Sequence, residues 1–251
     1  NYNAQITDAN GNVRKCKVEQ LNGFKINNHA IHNIYSFSTE FPAPLLCFAN
    51  GVIGNPVIRP FNWLIKENKV YFSSKPFSLP DAVTLNTFYH CANRLFSNVR
   101  LNGVQVDTCL MDYGGLFDIE LPLELYLKHP DQFVSKDQVQ KIETSYGVNG
   151  KSVPDTVLSM NCNIVFNGIR IDHVNIIFKP KCEKRIGYLF LRRFDHVAIN
   201  NTDHALLFSG LVQAKAPENE MIYSFDFING VFEVDSKILN NDSIQLSVGD
   251  Q

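Results

Sequence analysis

Ile53-Gly54-Asn55-Pro56-Val57-Ile58-Arg59-Pro60-Phe61-Asn62 and, 133 residues on, Ile186-Gly187-Tyr188-Leu189-Phe190-Leu191-Arg192-Arg193-Phe194-Asp195 are the two stretches on which the fold turns. Ile, Gly, Arg and Phe coincide in the two. Each stretch reads on into an apolar strand, a polar turn and a second apolar strand that ends at Phe72 or Phe208. The match extends upstream. Cys16 lies shortly before Asn22-Gly23 as Cys162 lies before Asn167-Gly168, and Cys47 and Cys182 each fall a few residues ahead of an Ile-Gly step. Ordered features in one register point to an internal repeat. We therefore expect two homologous lobes: residues 1–74, a connection over 75–96, and residues 97–210, with a separate tail over 211–251.

Glycine usage sets the class. Of 14 glycines, seven follow asparagine, including Asn102-Gly103 and Asn167-Gly168. That dipeptide suits type I′ hairpin turns, where both central residues need positive φ. Around the turns run short segments rich in Val, Ile, Phe and Tyr with period-two alternation, such as Val13 to Leu21, Val104 to Met111 and Ile169 to Phe178. The expectation is an all-β chain of two β-barrel lobes with short helices. The best helix candidate is Leu121 to Leu127, opened by Pro122.

Composition removes several function classes. The 251 residues carry 23 basic against 25 acidic side chains, a net charge of −2, so no electrostatic case exists for binding nucleic acid. Apolar runs such as Tyr188 to Leu191 fall far short of the roughly 20 residues a membrane-spanning helix needs. No basic region followed by an apolar stretch opens the chain, so an export signal is expected to have been removed or never present. The hydrolase elbow, zincin, Walker and dinucleotide motifs are absent. His29 and His32 stand three apart in a β context, where such residues point to opposite faces, so no metal site is expected. Trp63 reads as a core residue of a strand.

Equivalent cysteines in two repeats suggest one crosslink in each, Cys16 with Cys47 and Cys162 with Cys182, leaving Cys91 with Cys109. Six buried reduced thiols are the alternative. Three disulfides would place the protein in an oxidising space, periplasmic or extracellular.

The chemistry concentrates at one place. The apolar strand Val104 to Met111 ends in Asp112-Tyr113-Gly114-Gly115, a carboxylate where a strand meets a double-glycine turn. Burial there would perturb an acid or base; a turn-capping aspartate is the plainer reading. Asp107-Thr108-Cys109 is a rival pair, but Cys109 lacks glycine's freedom at a turn.

Strand, Asp-x-Gly turn, short helix, hairpins, apolar-Gly step and closing hairpin, in that order, resemble the lobe of the retropepsin and pepsin type of aspartic peptidase, and most closely the bacterial retropepsin-like proteins with two lobes in one chain. The resemblance covers about residues 1–208. It implies that Asp112 is a catalytic residue, that Tyr113, Gly114 and Gly115 form its loop, and that Ile53-Gly54 and Ile186-Gly187 are the structural elements crossing beneath such loops. Tyr113 stands where the family has a small Thr or Ser. The implied chemistry needs no cofactor and no metal, only a peptide or protein substrate and two aspartates sharing one proton across a water. From Asp112 to Gly187 is 75 positions, so the partner aspartate is expected about 21 residues before Asn1 (75 − 54), in an upstream segment or in a second polypeptide. Without it, the chain would be a non-catalytic peptide-binding scaffold. A β-sandwich adhesin or carbohydrate binder would explain the turns but not the duplicated Ile-Gly steps. Past Phe208, Gly230 to Ser236 and Leu246 to Gln251 resemble the opening of a PDZ module; a C-terminal hairpin is the alternative.

Overall fold

The computed structural model describes residues 2–7, 13–21, 24–26, 29–38, 53–66, 69–90, 94–135, 137–143, 146–147, 150–151, 155–212, 223–228 and 231–237. The chain is mostly β. Its first part holds β1 (Tyr2–Thr7), β2 (Val13–Leu21), β3 (Phe24–Ile26), β4 (His29–Ile31), β5 (Ile34–Ser38), α1 (Asn55–Ile58), β6 (Asn62–Lys66) and β7 (Lys69–Ser73). Next come β8 (Val83–His90), β9 (Arg94–Leu101), β10 (Val104–Asp112), β11 (Ile119–Pro122), α2 (Leu123–Lys128), β12 (Gln138–Glu143), β13 (Tyr146–Gly147) and β14 (Gly150–Lys151). The remainder is β15 (Asp155–Phe166), β16 (Ile169–Lys179), β17 (Arg185–Gly187), α3 (Tyr188–Leu191), β18 (Phe194–Asn200), β19 (Ala205–Leu211), β20 (Tyr223–Ile228) and β21 (Val231–Lys237).

Twelve strands form one sheet in the order β12-β15-β16-β11-β17-β10-β9-β8-β19-β18-β6-β7, and a further pairing of Phe166 with Leu101 joins β15 to β9. That contact closes β9, β10, β17, β11, β16 and β15 into a ring. Its interior is filled by fully buried Leu101, Ile119, Phe166, Phe178, Ile186 and Phe190, as the alternation of apolar residues along β15 and β16 requires. A second, smaller cluster of Ile31, Ile34, Val57 and Phe61 packs with Phe72, and Trp63 of β6 contributes to both.

Two hairpins of the ring are copies of each other at a spacing of 65 residues. Asn98-Val99-Arg100-Leu101-Asn102-Gly103-Val104-Gln105-Val106-Asp107 and Asn163-Ile164-Val165-Phe166-Asn167-Gly168-Ile169-Arg170-Ile171-Asp172 turn at Asn-Gly pairs with positive φ, 48° and 82° in one, 45° and 93° in the other. Five residues past each glycine a non-glycine residue again takes positive φ, Thr108 at 55° and His173 at 57°. Its N–H donates to the side-chain oxygen of Asn98 or Asn163, at 2.9 and 3.1 Å. The turns then clasp one another reciprocally. Asn102 N–H donates to Val165 O and Asn167 N–H to Arg100 O, both at 2.9 Å. Val165 N–H and Arg100 N–H return the bond to Asn102 Oδ1 and Asn167 Oδ1. Asp107, the rival to Asp112, is thus one half of a repeated mid-strand bulge whose other half is Asp172. Its position belongs to the hairpin, not to a loop.

The longer repeat has its own geometry. Gly54 (φ −87°, ψ 169°) and Gly187 (φ −93°, ψ 176°) each lead into a four-residue helix, α1 and α3. The strands that follow, β6 and β18, pair antiparallel with Trp63 opposite Ile199 and Lys66 opposite His196. A shift of 133 turns Trp63 into His196 and Lys66 into Ile199, so each strand pairs with its own copy about a local two-fold axis. Helix α2 starts two residues later than Leu121, because Leu121 belongs to β11 and Pro122 caps the helix in extended backbone.

The crosslinks are a correction. Cys16, Cys109, Cys162 and Cys182 are free thiols; Cys47 and Cys91 lie outside the described residues. Cys162 sits opposite Val174, while Cys182 lies past Lys179 at the end of β16. Those five residues of strand (174 to 179) alone span about 16 Å, against the roughly 7 Å limit of a disulfide. Cys16 and Cys162 do occupy matching inward positions, 7% and 1% exposed, but as packing residues. Denatured without reductant, the protein is expected to show titratable thiols at these four positions by alkylation mapping.

Burial pushes the Cys109 thiol up to about 12 and those of Cys162 and Cys182 up to about 11, from an ordinary 9.0. Between those values the unfolded chain releases thiol protons that the fold retains. Stability from these groups is therefore complete below about pH 9 and is lost as pH rises toward 12. A melting series from pH 7 to 11 should fall along its alkaline half, and Cys109→Val should make that fall shallower.

The tail forms the hairpin β20–β21. The stretch Leu246 to Gln251, part of the PDZ resemblance, lies outside the described residues.

Candidate functional site

Asp112 is the last residue of β10, and three parallel pairs fix what lies beside it: Leu110 with Arg185, Met111 with Ile186, Asp112 with Gly187. On its other side β17 pairs antiparallel with β11, Ile186 opposite Ile119. The Ile-Gly step is thus a short strand inserted between the strand that delivers Asp112 and the one that leaves the loop, and residues 113–118 arch over it.

The arch rests on backbone hydrogen bonds. Gly187 N–H donates to Asp118 O at 2.8 Å, Tyr188 N–H to Gly115 O at 2.7 Å and Leu189 N–H to Phe117 O at 3.2 Å. Loop carbonyls thereby satisfy the first free N–H groups of α3. The approach needs glycine. A Cβ on Gly187 would stand 2.2 Å from Phe117 O and 2.8 Å from Gly115 O. Within the arch, Gly115 N–H donates to Asp112 O at 3.1 Å and Gly114 N–H to Asp112 Oδ1 at 3.2 Å. The carboxylate is held by its own turn.

The other carboxylate oxygen faces Arg185, with Oδ2 3.5 Å from Nη1. That guanidinium lies 5.0 Å from the Phe117 ring centre and also donates through Nη2 to Glu120. Glu120 accepts from Lys179 at 2.6 Å, and Lys179 lies 3.4 Å from Glu143. A chain of alternating charge runs from Asp112 across the sheet to β12. Its buried members are paired, as their desolvation demands. Asp118 anchors the far end of the arch, accepting from Arg193 Nη2 at 2.7 Å and from Asn175 N–H at 2.9 Å. Asp118 and Glu120 are committed to these partners, and among the described residues no second carboxylate is hydrogen-bonded to Asp112.

Tyr113 packs its ring against the main core beside Tyr89, and its hydroxyl is buried with no hydrogen-bond partner among the described residues. Burial pushes that phenol well above its ordinary value, with Tyr89 adding to the effect, so it stays neutral. Tyr89 in turn donates to Asn201 at 2.6 Å. A buried phenol that finds no acceptor is a liability. Tyr113→Phe is expected to stabilise by about 1 kcal/mol, read from the denaturation midpoint.

The structure thus brings together Asp112, Gly114, Gly115, Ile186 and Gly187. Ile53-Gly54 stands apart from them, at the start of α1. The sequence reading missed Arg185, Glu120 and Lys179. The signal available was Glu120 in a run otherwise apolar, Ile119 to Leu121, which a buried strand tolerates only with a partner. A shallow surface depression lined by Asn102, Gly103, Gln132, Asn163 and Val165 lies at the turn end of β10, a full strand away from Asp112.

No family model matches the chain, and no curated protein sequence matches it. Among solved structures, a retropepsin-like aspartic protease from Rickettsia conorii is similar to it over 51% of this chain and 89% of that one, with 19% identity and a TM-score of 0.36.

Proposed function

We propose that this is a two-lobed aspartic-peptidase-like protein that hydrolyses peptide bonds, with Asp112 as one of two carboxylates and the other outside these 251 residues. The observation that carries the reading is the register of Asp112 with Gly187 under an arch whose carbonyls cap α3. It presents one carboxylate at the sheet's end, 27% exposed in its side chain and pinned by Gly114 N–H and Arg185. A carboxylate held rigid and still open to water can accept a proton from a water attacking a peptide carbonyl. The second must donate to the carbonyl oxygen, and one group cannot do both.

A peptide-binding scaffold without catalysis is the second reading, favoured by the absence of a second carboxylate on Asp112 among the described residues. The natural gene product, incubated with fluorescent casein from about pH 3 to 8, the span of ordinary and shifted carboxylates, separates the two. Release of small fragments supports the peptidase. Retention of casein with no fragment at any pH supports the scaffold and ends the peptidase reading.

A further inference from the structure

Glu120 is 4% exposed in the middle of β11, between Ile119 and Leu121, both 0% exposed. A carboxylate buried there requires partners, and strand pairing supplies two. Arg185 stands directly opposite it on β17, and Lys179 reaches it from β16 on the other flank. Lys179 Nζ donates to Oε1 at 2.6 Å and Arg185 Nη2 donates to Oε2. Glu143 closes the far end, 3.4 Å from Lys179. The two cations and two carboxylates cancel, so these four are balanced in charge without Asp112. Their positive end nevertheless faces it, with Arg185 Nη1 3.5 Å from Asp112 Oδ2. Arg185 Nε is buried and makes no hydrogen bond among the described residues, so the guanidinium meets its polar neighbours through its two terminal nitrogens. One is anchored on Glu120; the other faces the carboxylate of the site.

We infer that Arg185 and Glu120 are positioning residues for the reaction at Asp112: Glu120 fixes Arg185, and Arg185 aims the Asp112 carboxylate. The inference rests on the peptidase reading of Asp112. Gly114 N–H holds Oδ1 at 3.2 Å, and that bond alone leaves the carboxylate free to turn about it. A second restraint on Oδ2 fixes its plane. Pairing of β17 with both β10 and β11 fixes where that restraint stands, and the guanidinium lies over the Phe117 ring of the arch, 5.0 Å from its centre. A charge set in place before the reaction needs no reorganisation during it. Arginine suits the task, because nitrogens in one rigid plane serve two carboxylates where a lysine ammonium on a flexible stem cannot. Glu120, buried beneath, acts on the chemistry only through Arg185. Without the pair the carboxylate stays at the site but is no longer aimed, and displacing a reacting group by about 1 Å costs about 10²-fold in rate.

The natural gene product is assayed over a range of fluorescent casein concentrations as wild type, Arg185→Met, Arg185→Lys and Glu120→Gln, and with each of these changes added to Asp112→Asn. Arg185→Met should lower kcat by about 10²-fold and leave KM unchanged, the mark of a restraint felt in the transition state rather than in binding. Arg185→Lys should recover part of that loss. Glu120→Gln keeps the side chain's shape and an oxygen for Lys179, and should lower kcat by a smaller factor. Added to Asp112→Asn, none of the three should cost anything further, because the carboxylate they act through is gone. Circular dichroism identifies a variant that does not fold, and Glu120→Gln carries the test where Arg185→Met fails to. An unchanged kcat, a rise in KM alone, or losses that multiply with that of Asp112→Asn overturn the inference. A wild type that releases no fragments sinks the peptidase reading and this inference with it. Hydrolysis lost in Asp112→Asn but kept in Arg185→Met and Glu120→Gln sinks this inference alone.

Discussion

Asp112→Asn in the natural gene product is expected to cut the rate of casein hydrolysis by about 10²–10⁴, the usual worth of a positioned acid or base, while the fold survives. The survival is what makes the result interpretable. Asparagine keeps an Oδ1 to accept from Gly114 N–H, and Arg185, losing one carboxylate, keeps Glu120. The melting temperature should change little, or rise where a nearby partner carboxylate is relieved of repulsion. Circular dichroism and a melting curve beside the assay distinguish lost chemistry from lost structure. A variant that folds and cleaves at the wild-type rate removes Asp112 from the mechanism.

Gly187→Ala is expected to have the largest structural effect of any single methyl in the ring. The added Cβ meets backbone, Phe117 O at 2.2 Å and Gly115 O at 2.8 Å, and backbone can yield only if the arch lifts. Lifting it breaks the hydrogen bonds from Gly187, Tyr188 and Leu189 together. The cost should reach or exceed about 3 kcal/mol, the top of the usual overpacking range. Gly168→Ala is the control. Its φ of +93° carries strain, but a Cβ there meets nothing within 4 Å, so a loss near 1 kcal/mol is expected. Urea midpoints for the pair measure the difference directly, and equal midpoints would show that the arch moves freely.

Much of this was legible. The shift of 133 residues, read from Ile-Gly, Arg and Phe alone, names strands that meet in the fold, and Asn102-Gly103 and Asn167-Gly168 turn as Asn-Gly turns should. The misreadings have physical causes. The short helices α1 and α3 went unread because a single helical turn is too short to show a 3.6 period. Cysteines at matched positions suggest crosslinks, whereas at Cys16 and Cys162 the repeat preserves an inward-facing site for a small apolar side chain. The 65-residue copy went unseen because Val and Ile exchange at three of its places, and only Asn, Asn-Gly and Asp hold. The Asp112 loop was found from its glycines, but its ionic partner was not, since Arg185 lies 73 residues away (185 − 112) and only strand pairing brings it near.

The clasp between the two Asn-Gly turns also sets an order of events during synthesis. Asn102 and Val165 are 63 residues apart (165 − 102), so the first hairpin can form early but the ring closes only when the second leaves the ribosome. Until then the end of β9 around Leu101, beyond the residues that β8 pairs, is an open strand edge available to any other nascent strand. Long-range closure of this kind is slow. The interval between the two turns, more than the final stability of the barrel, is where misassembly competes with folding, and slowing translation between residues 102 and 165 should lengthen it.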